Sequence, residues 1–86
     1  MKVWCVITET ADGTELAGAY SSLSLATGYV KQRFQEEYQS CIDDGYLMIE
    51  YITYTAPSDG GAEVYLNATD YWIWKIESAE VRNGLL

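Results

Sequence analysis

Apolar positions recur along this chain with two different periods. The segment KVWCVITET (residues 2–10) is rich in β-branched and aromatic residues and predicts a strand. Ala11-Asp12-Gly13-Thr14 follows, and its Asp-Gly pair marks a tight hairpin. Residues 15–20 (ELAGAY) are the return strand, weakened by Gly18. The period then changes. Ser21-Ser22 offers a hydroxyl able to cap a helix by accepting a free backbone N–H. Leu23, Ala26, Val30, Phe34, Tyr38, Cys41 and Ile42 then fall in steps suited to one face of a helix over residues 23–42. Thr27, Lys31, Gln32, Gln35, Glu36 and Gln39 fill the opposite face. Gly28 inside it costs about 1 kcal/mol against alanine. Asp43-Asp44-Gly45 ends it, Gly45 being free to turn left-handed.

Residues 46–56 (YLMIEYITYTA) predict a long strand, and Pro57-Ser58-Asp59-Gly60-Gly61 a turn or loop. Residues 62–66 predict a short strand, 67–70 a turn, 71–81 (YWIWKIESAEV) a last long strand, and 82–86 a fraying end. The order is β-β-α-β-β-β. It implies one α+β domain over residues 1–86, in two layers, with one helix packed on an antiparallel sheet of four to five strands. Both long strands are apolar on both sides. Leu47, Ile49 and Tyr51 oppose Met48, Ile52 and Tyr54; Tyr71 and Ile73 oppose Trp72, Trp74 and Ile76. One helix covers one sheet face. The other is left as an aromatic and aliphatic surface, of the kind that meets a partner, a second copy or a ligand, unless loops and twist cover it.

Composition narrows the function more than the fold. At 86 residues, 49% hydrophobic and 14% aromatic, the chain is long enough for one modest core and too apolar for a disordered tail. No apolar run is long enough to cross a membrane, and the N-terminus lacks a signal peptide's apolar stretch. The expectation is therefore a protein that makes no membrane contact and works in the cytoplasm. Thirteen acids against five bases give a net charge of −8. The bases, Lys2, Lys31, Arg33, Lys75 and Arg82, are scattered, which argues against direct binding of nucleic acid. The natural complement is a basic protein surface.

The absence of histidine rules out histidine acid–base chemistry, Ser-His-Asp triads and histidine metal sites. Cys5 and Cys41 cannot alone make a four-ligand zinc site. They read as two small buried hydrophobes in a reducing compartment, with a strand-to-helix disulfide as the alternative. Glu36-Glu37 and Asp43-Asp44 are neighbours in sequence and so do not face one another across a cleft. Neither acidic turn has calcium-loop spacing, Gly60-Gly61 is not a phosphate loop, and Asn67-Ala68-Thr69 is a chance glycosylation match. The expectation is no catalytic residue, no metal and no cofactor: not an enzyme.

What remains is acid interleaved with tyrosine, in a chain with eight tyrosines and three tryptophans. Glu36, Glu37, Asp43, Asp44, Tyr46, Glu50 and Tyr54 form the candidate partner-binding surface. Tyrosines supply contact area at low entropy cost, and carboxylates meet Arg or Lys of a partner. The alternative is that the tyrosines are core and the acids a solvated face.

The opening Lys2-Val3-Trp4-Cys5-Val6-Ile7, then Asp12-Gly13, then Tyr20-Ser21-Ser22-Leu23-Ser24-Leu25-Ala26 leading into a helix, resembles small proteins of phages and mobile elements. In size and acidity the chain is similar to phage-encoded inhibitors of host defence, including anti-CRISPR proteins. That class shares no motif, so the resemblance carries over no residue. It implies a job: a non-enzymatic inhibitor that blocks a basic, nucleic-acid-binding defence protein, with Asp and Glu standing in for phosphates. The reading from a different class is a structural or assembly domain that forms a homodimer through its apolar sheet face.

Overall fold

The computed structural model describes residues 1–43, 52–66 and 70–81. The elements are β1 (Lys2–Thr10), β2 (Gly13–Tyr20), α1 (Leu23–Asp43), β3 (Thr53–Ser58), β4 (Gly61–Tyr65) and β5 (Tyr71–Glu80). The five strands make one antiparallel sheet in the order β2-β1-β5-β4-β3, and α1 packs on one side of it. This is the two-layer α+β arrangement expected from the strand and helix periods.

The first hairpin closes with Thr10 opposite Gly13, so the loop is the pair Ala11-Asp12. Positive φ falls on Gly13 (φ 133°), whereas no described non-glycine residue takes it. The glycine of the Asp-Gly signal thus serves as the first strand residue after the loop. Asp12 donates its backbone N–H to Thr10 Oγ1 at 3.2 Å. Further on, the β1–β2 register slips: Val6 pairs with Gly18 and Ile7 with Leu16. Ala17 is the extra residue of a bulge, which turns it toward the core it packs against.

Ser22 caps α1. Its Oγ accepts the Leu25 N–H at 3.2 Å, a contribution of about 1 kcal/mol. From Ala26 onward the steps of three and four land as expected: Ala26, Val30 and Cys41 are buried, and Phe34, Tyr38 and Ile42 pack at their edge, whereas Leu23, the first of the expected stripe, lies outside the core cluster. The sheet meets this stripe with Val6 from β1, Ala62 and Val64 from β4 and Trp74 from β5, while Ile52 arrives just before β3. Among the described residues these buried side chains are the centre of a small core.

Several boundaries differ from the sequence reading. The long strand expected over 46–56 begins at Thr53 where it is described, and it runs on through Pro57 and Ser58. Pro57 is tolerated because β3 lies at the sheet edge and its pairing with β4 is irregular between Thr55 and Ser58, so Pro57 has no partner in the ladder. The expected five-residue loop shrinks to Asp59-Gly60, and Gly61 opens β4. Most of the turn expected at 67–70, residues 44–51 of the helix end and strand, and the end at 82–86 lie outside the described residues.

The two cysteines form no disulfide with each other. Cys41 is buried under the helix, whereas Cys5 points to the opposite side of the sheet from Val6. The sheet itself stands between them, so the strand-to-helix bridge of the alternative reading is not made.

Candidate protein-binding surfaces

Of the seven candidate residues, Glu36, Glu37, Asp43 and Tyr54 are described; Asp44, Tyr46 and Glu50 lie outside the described residues. The first three share one side of the C-terminal half of α1 with a cation. Arg33 holds Glu36 at 2.6 Å and Glu37 at 2.8 Å, at the three- and four-residue spacings that bring helix side chains together. Partial burial pulls the Arg33 pKa down, but the hydrogen bonds and charges of Glu36 and Glu37 more than offset this and hold it above its ordinary value. Gln32 also donates to Glu36, at 3.2 Å, and Gln39 to Asp43, at 2.9 Å. Two of the helix acids are therefore already engaged with a guanidinium within the chain.

Tyr54 reaches the same helix from β3. It makes an edge-on contact with Tyr38 at 5.4 Å and a tilted one with Phe34 at 5.9 Å, and Phe34 and Tyr38 stack at 5.7 Å. Even so, 52% of Tyr54 is exposed. It closes the aromatic group of Phe34 and Tyr38 and leaves about half of its own surface reachable.

The second surface is the sheet face turned away from α1. Strand alternation places Trp4, Val6, Tyr54, Val64, Trp72, Trp74 and Ile76 on the helix side. The opposite side carries Val3, Cys5, Ile7 and Glu9 from β1, and Tyr71, Ile73, Lys75 and Glu77 from β5. Glu63 and Tyr65 of β4 join them, as does Leu16 of β2, which is 64% exposed. No described element lies over this face.

Acid and tyrosine meet there too. Tyr65 and Tyr71 are cross-strand partners whose rings stack at 5.9 Å with planes 26° apart. Thr55 Oγ1 donates to Glu63 at 3.1 Å. The Tyr65 phenol is pushed above its ordinary pKa, first by partial burial, then by the Glu63 carboxylate, Glu9 and Tyr71. Among the described residues, ion pairs join Arg33 to Glu36 and Glu37 and the Met1 amino group to Glu80; Glu9, Glu63 and Glu77 take part in none of them.

Spacing along the chain does not reveal this group, because its members are spread over three strands. Parity along residues 71–77 gives Tyr71, Ile73, Lys75 and Glu77 as one side, but only the order β1-β5-β4 brings Glu9 and Glu63 beside them. Among the described residues no group of three or more acids and cysteines is placed to hold a metal ion, and no helix is long and apolar enough to cross a membrane. No protein-family model, no curated protein and no solved structure matches the chain.

Proposed function

We propose that this chain is a non-enzymatic, phage-encoded inhibitor that binds a nucleic-acid-binding host defence protein, in the manner of anti-CRISPR proteins, and blocks it through an acidic, tyrosine-rich surface. It works in the cytoplasm of the bacterial host, without cofactor or metal. The observation that carries the reading is the net charge of −8 on a folded chain whose open sheet face holds Glu9, Glu63 and Glu77 outside its internal ion pairs. Carboxylates held in this way can take the places of phosphates on a basic surface, adding steering at low salt and specificity by charge match. Tyrosines beside them add apolar contact that salt does not screen.

The experiment is capture with the tagged chain, expressed in a bacterium that carries nuclease defences, followed by washes at low and at moderate salt. A nucleic-acid-binding protein that is held at low salt and weakened by moderate salt is the expected result. Recovery of the chain alone under both conditions overturns the reading. The second reading, a homodimer, is favoured by the apolar end of the open face at Val3, Cys5, Ile7 and Leu16. A tight dimer in sedimentation with no affinity for basic proteins would replace the first reading with the second.

A further inference from the structure

We propose that the open sheet face, and not the acidic side of α1, is the docking surface, and that its occupant is an arginine-bearing segment of a basic protein. This rests on the protein-binding reading above and gives it a location and a ligand chemistry. Glu9 and Glu63 both pair with Ile73, from opposite sides, so Glu9, Ile73 and Glu63 form one row across β1, β5 and β4. Two strand spacings separate the acidic positions by about 10 Å. A guanidinium laid over Ile73 has a carboxylate on each side, and its planar fork suits such charge-assisted hydrogen bonds.

Tyr71 and Tyr65 stand in the next row of the same face. Their stacked rings offer the aromatic surface on which a guanidinium packs better than an ammonium. On the other side of the row, Gly61 has no side chain, and a hollow of about 460 Å³ opens among Thr55, Gly61, Glu63, Lys75 and Glu77. The face thus offers a flat aromatic pair, a flanked apolar floor and a recess within a few residues of one another.

Charge selects the occupant. The face carries Glu9, Glu63 and Glu77 against Lys75 alone among the described residues. A second copy laid on it would set these acids against their own kind, and like charges brought together in this way repel. A cationic segment relieves the repulsion instead. On α1, by contrast, Arg33 already fills the place that such a segment would take beside Glu36 and Glu37.

The test titrates the isotope-labelled full chain with blocked tetra-arginine and blocked tetra-lysine peptides at low ionic strength, followed by NMR. Chemical shifts are expected to move at Ile7, Glu9, Glu63, Tyr65, Tyr71 and Ile73, with tetra-arginine binding several-fold tighter than tetra-lysine. The variant E9Q/E63Q/E77Q is expected to weaken tetra-arginine about ten-fold, the combined effect of three exposed charge pairs. Circular dichroism checks its fold, and the amide oxygen introduced by E63Q would still accept from Thr55. The variant E36Q/E37Q is expected to change affinity less than about two-fold.

Shifts confined to α1, with the larger loss in E36Q/E37Q, overturn the proposal while leaving the protein-binding reading intact. Equal affinity for the two peptides overturns it as well, because simple charge attraction would then suffice. So does a dimer that tetra-arginine fails to disturb, since a second copy would own the face. Absence of saturable binding also overturns it, and the capture experiment then judges the broader reading by itself.

Discussion

Gly61→Ala is expected to cost the chain a large part of its stability, on the order of 4 kcal/mol or more. Gly61 opens β4 with φ at 124°, a conformation that residues with a Cβ rarely adopt. A Cβ built there overlaps the carbonyl oxygen of Trp74 and comes within 2.8 Å of its carbonyl carbon and 3.1 Å of Lys75 Cα. These are backbone atoms of β5, the central strand of the sheet. Nothing can rotate away, so β4 and β5 must separate or the turn must rebuild. Strain combined with a disrupted ladder costs on the order of 4 kcal/mol or more. A domain of this size has roughly 4–13 kcal/mol to lose. Gly60→Ala is the control. Its added Cβ would meet only Ser58 Oγ, at 3.9 Å, and it is expected to shift stability by less than about 1 kcal/mol. Urea unfolding followed by circular dichroism reads both variants. A Gly61→Ala midpoint close to that of the parent would show that the turn is not held as described.

The second large effect is expected at Trp74. It is the largest fully buried side chain among the described residues, 1% exposed, and packs in a cluster that includes Val6, Val30 and Val64. In so small a core, the cavity left by Trp74→Ala has little around it able to close in. A loss of about 3–5 kcal/mol follows, a large share of the roughly 4–13 kcal/mol expected for this length. Trp74→Phe separates volume from polarity. The indole N–H finds no hydrogen-bond partner among the described residues, and a buried donor left unmet costs about 1–3 kcal/mol. Phenylalanine removes that penalty while giving up part of the packing. Its net effect is expected to be below about 1.5 kcal/mol, read in the same unfolding experiment. If Phe proved as damaging as Ala, the indole N–H would be making an interaction this account lacks.

The elements that periodicity determines were legible in the sequence. The helix stripe Ala26, Val30, Phe34, Tyr38, Cys41 and Ile42 lies on the core side because steps of three and four leave it no other face. Trp72, Trp74 and Ile76 share the helix side for the parallel reason, a period of two. Turn chemistry was legible in kind but not in register. Asp-Gly marked the hairpin, yet the loop is Ala11-Asp12, because the positive φ is needed one residue later, at Gly13. Pro57 argued for a loop, whereas an edge strand accommodates it.

Strand order was not legible, and the open-face surface depends on it. Nothing local to Glu9 or Glu63 says that both will stand beside Ile73; that follows from β5 lying between β1 and β4. The acids adjacent in sequence, Glu36 and Glu37, were the visible ones. Their proximity to Arg33, three and four residues earlier, was equally visible and points to an internal ion pair. Adjacency in sequence and availability to a partner are different properties, and the fold separates them.

The central claim is that this acidic domain takes a basic protein surface away from nucleic acid. The most direct measurement is displacement. The protein captured by the chain is loaded with fluorescent DNA or RNA, purified chain is added, and anisotropy is followed at low and at moderate salt. The nucleic acid is expected to be released in proportion to added chain, with E9Q/E63Q/E77Q releasing markedly less. Stable binding of chain and nucleic acid to the same protein at once, with no release at either salt concentration, would contradict it.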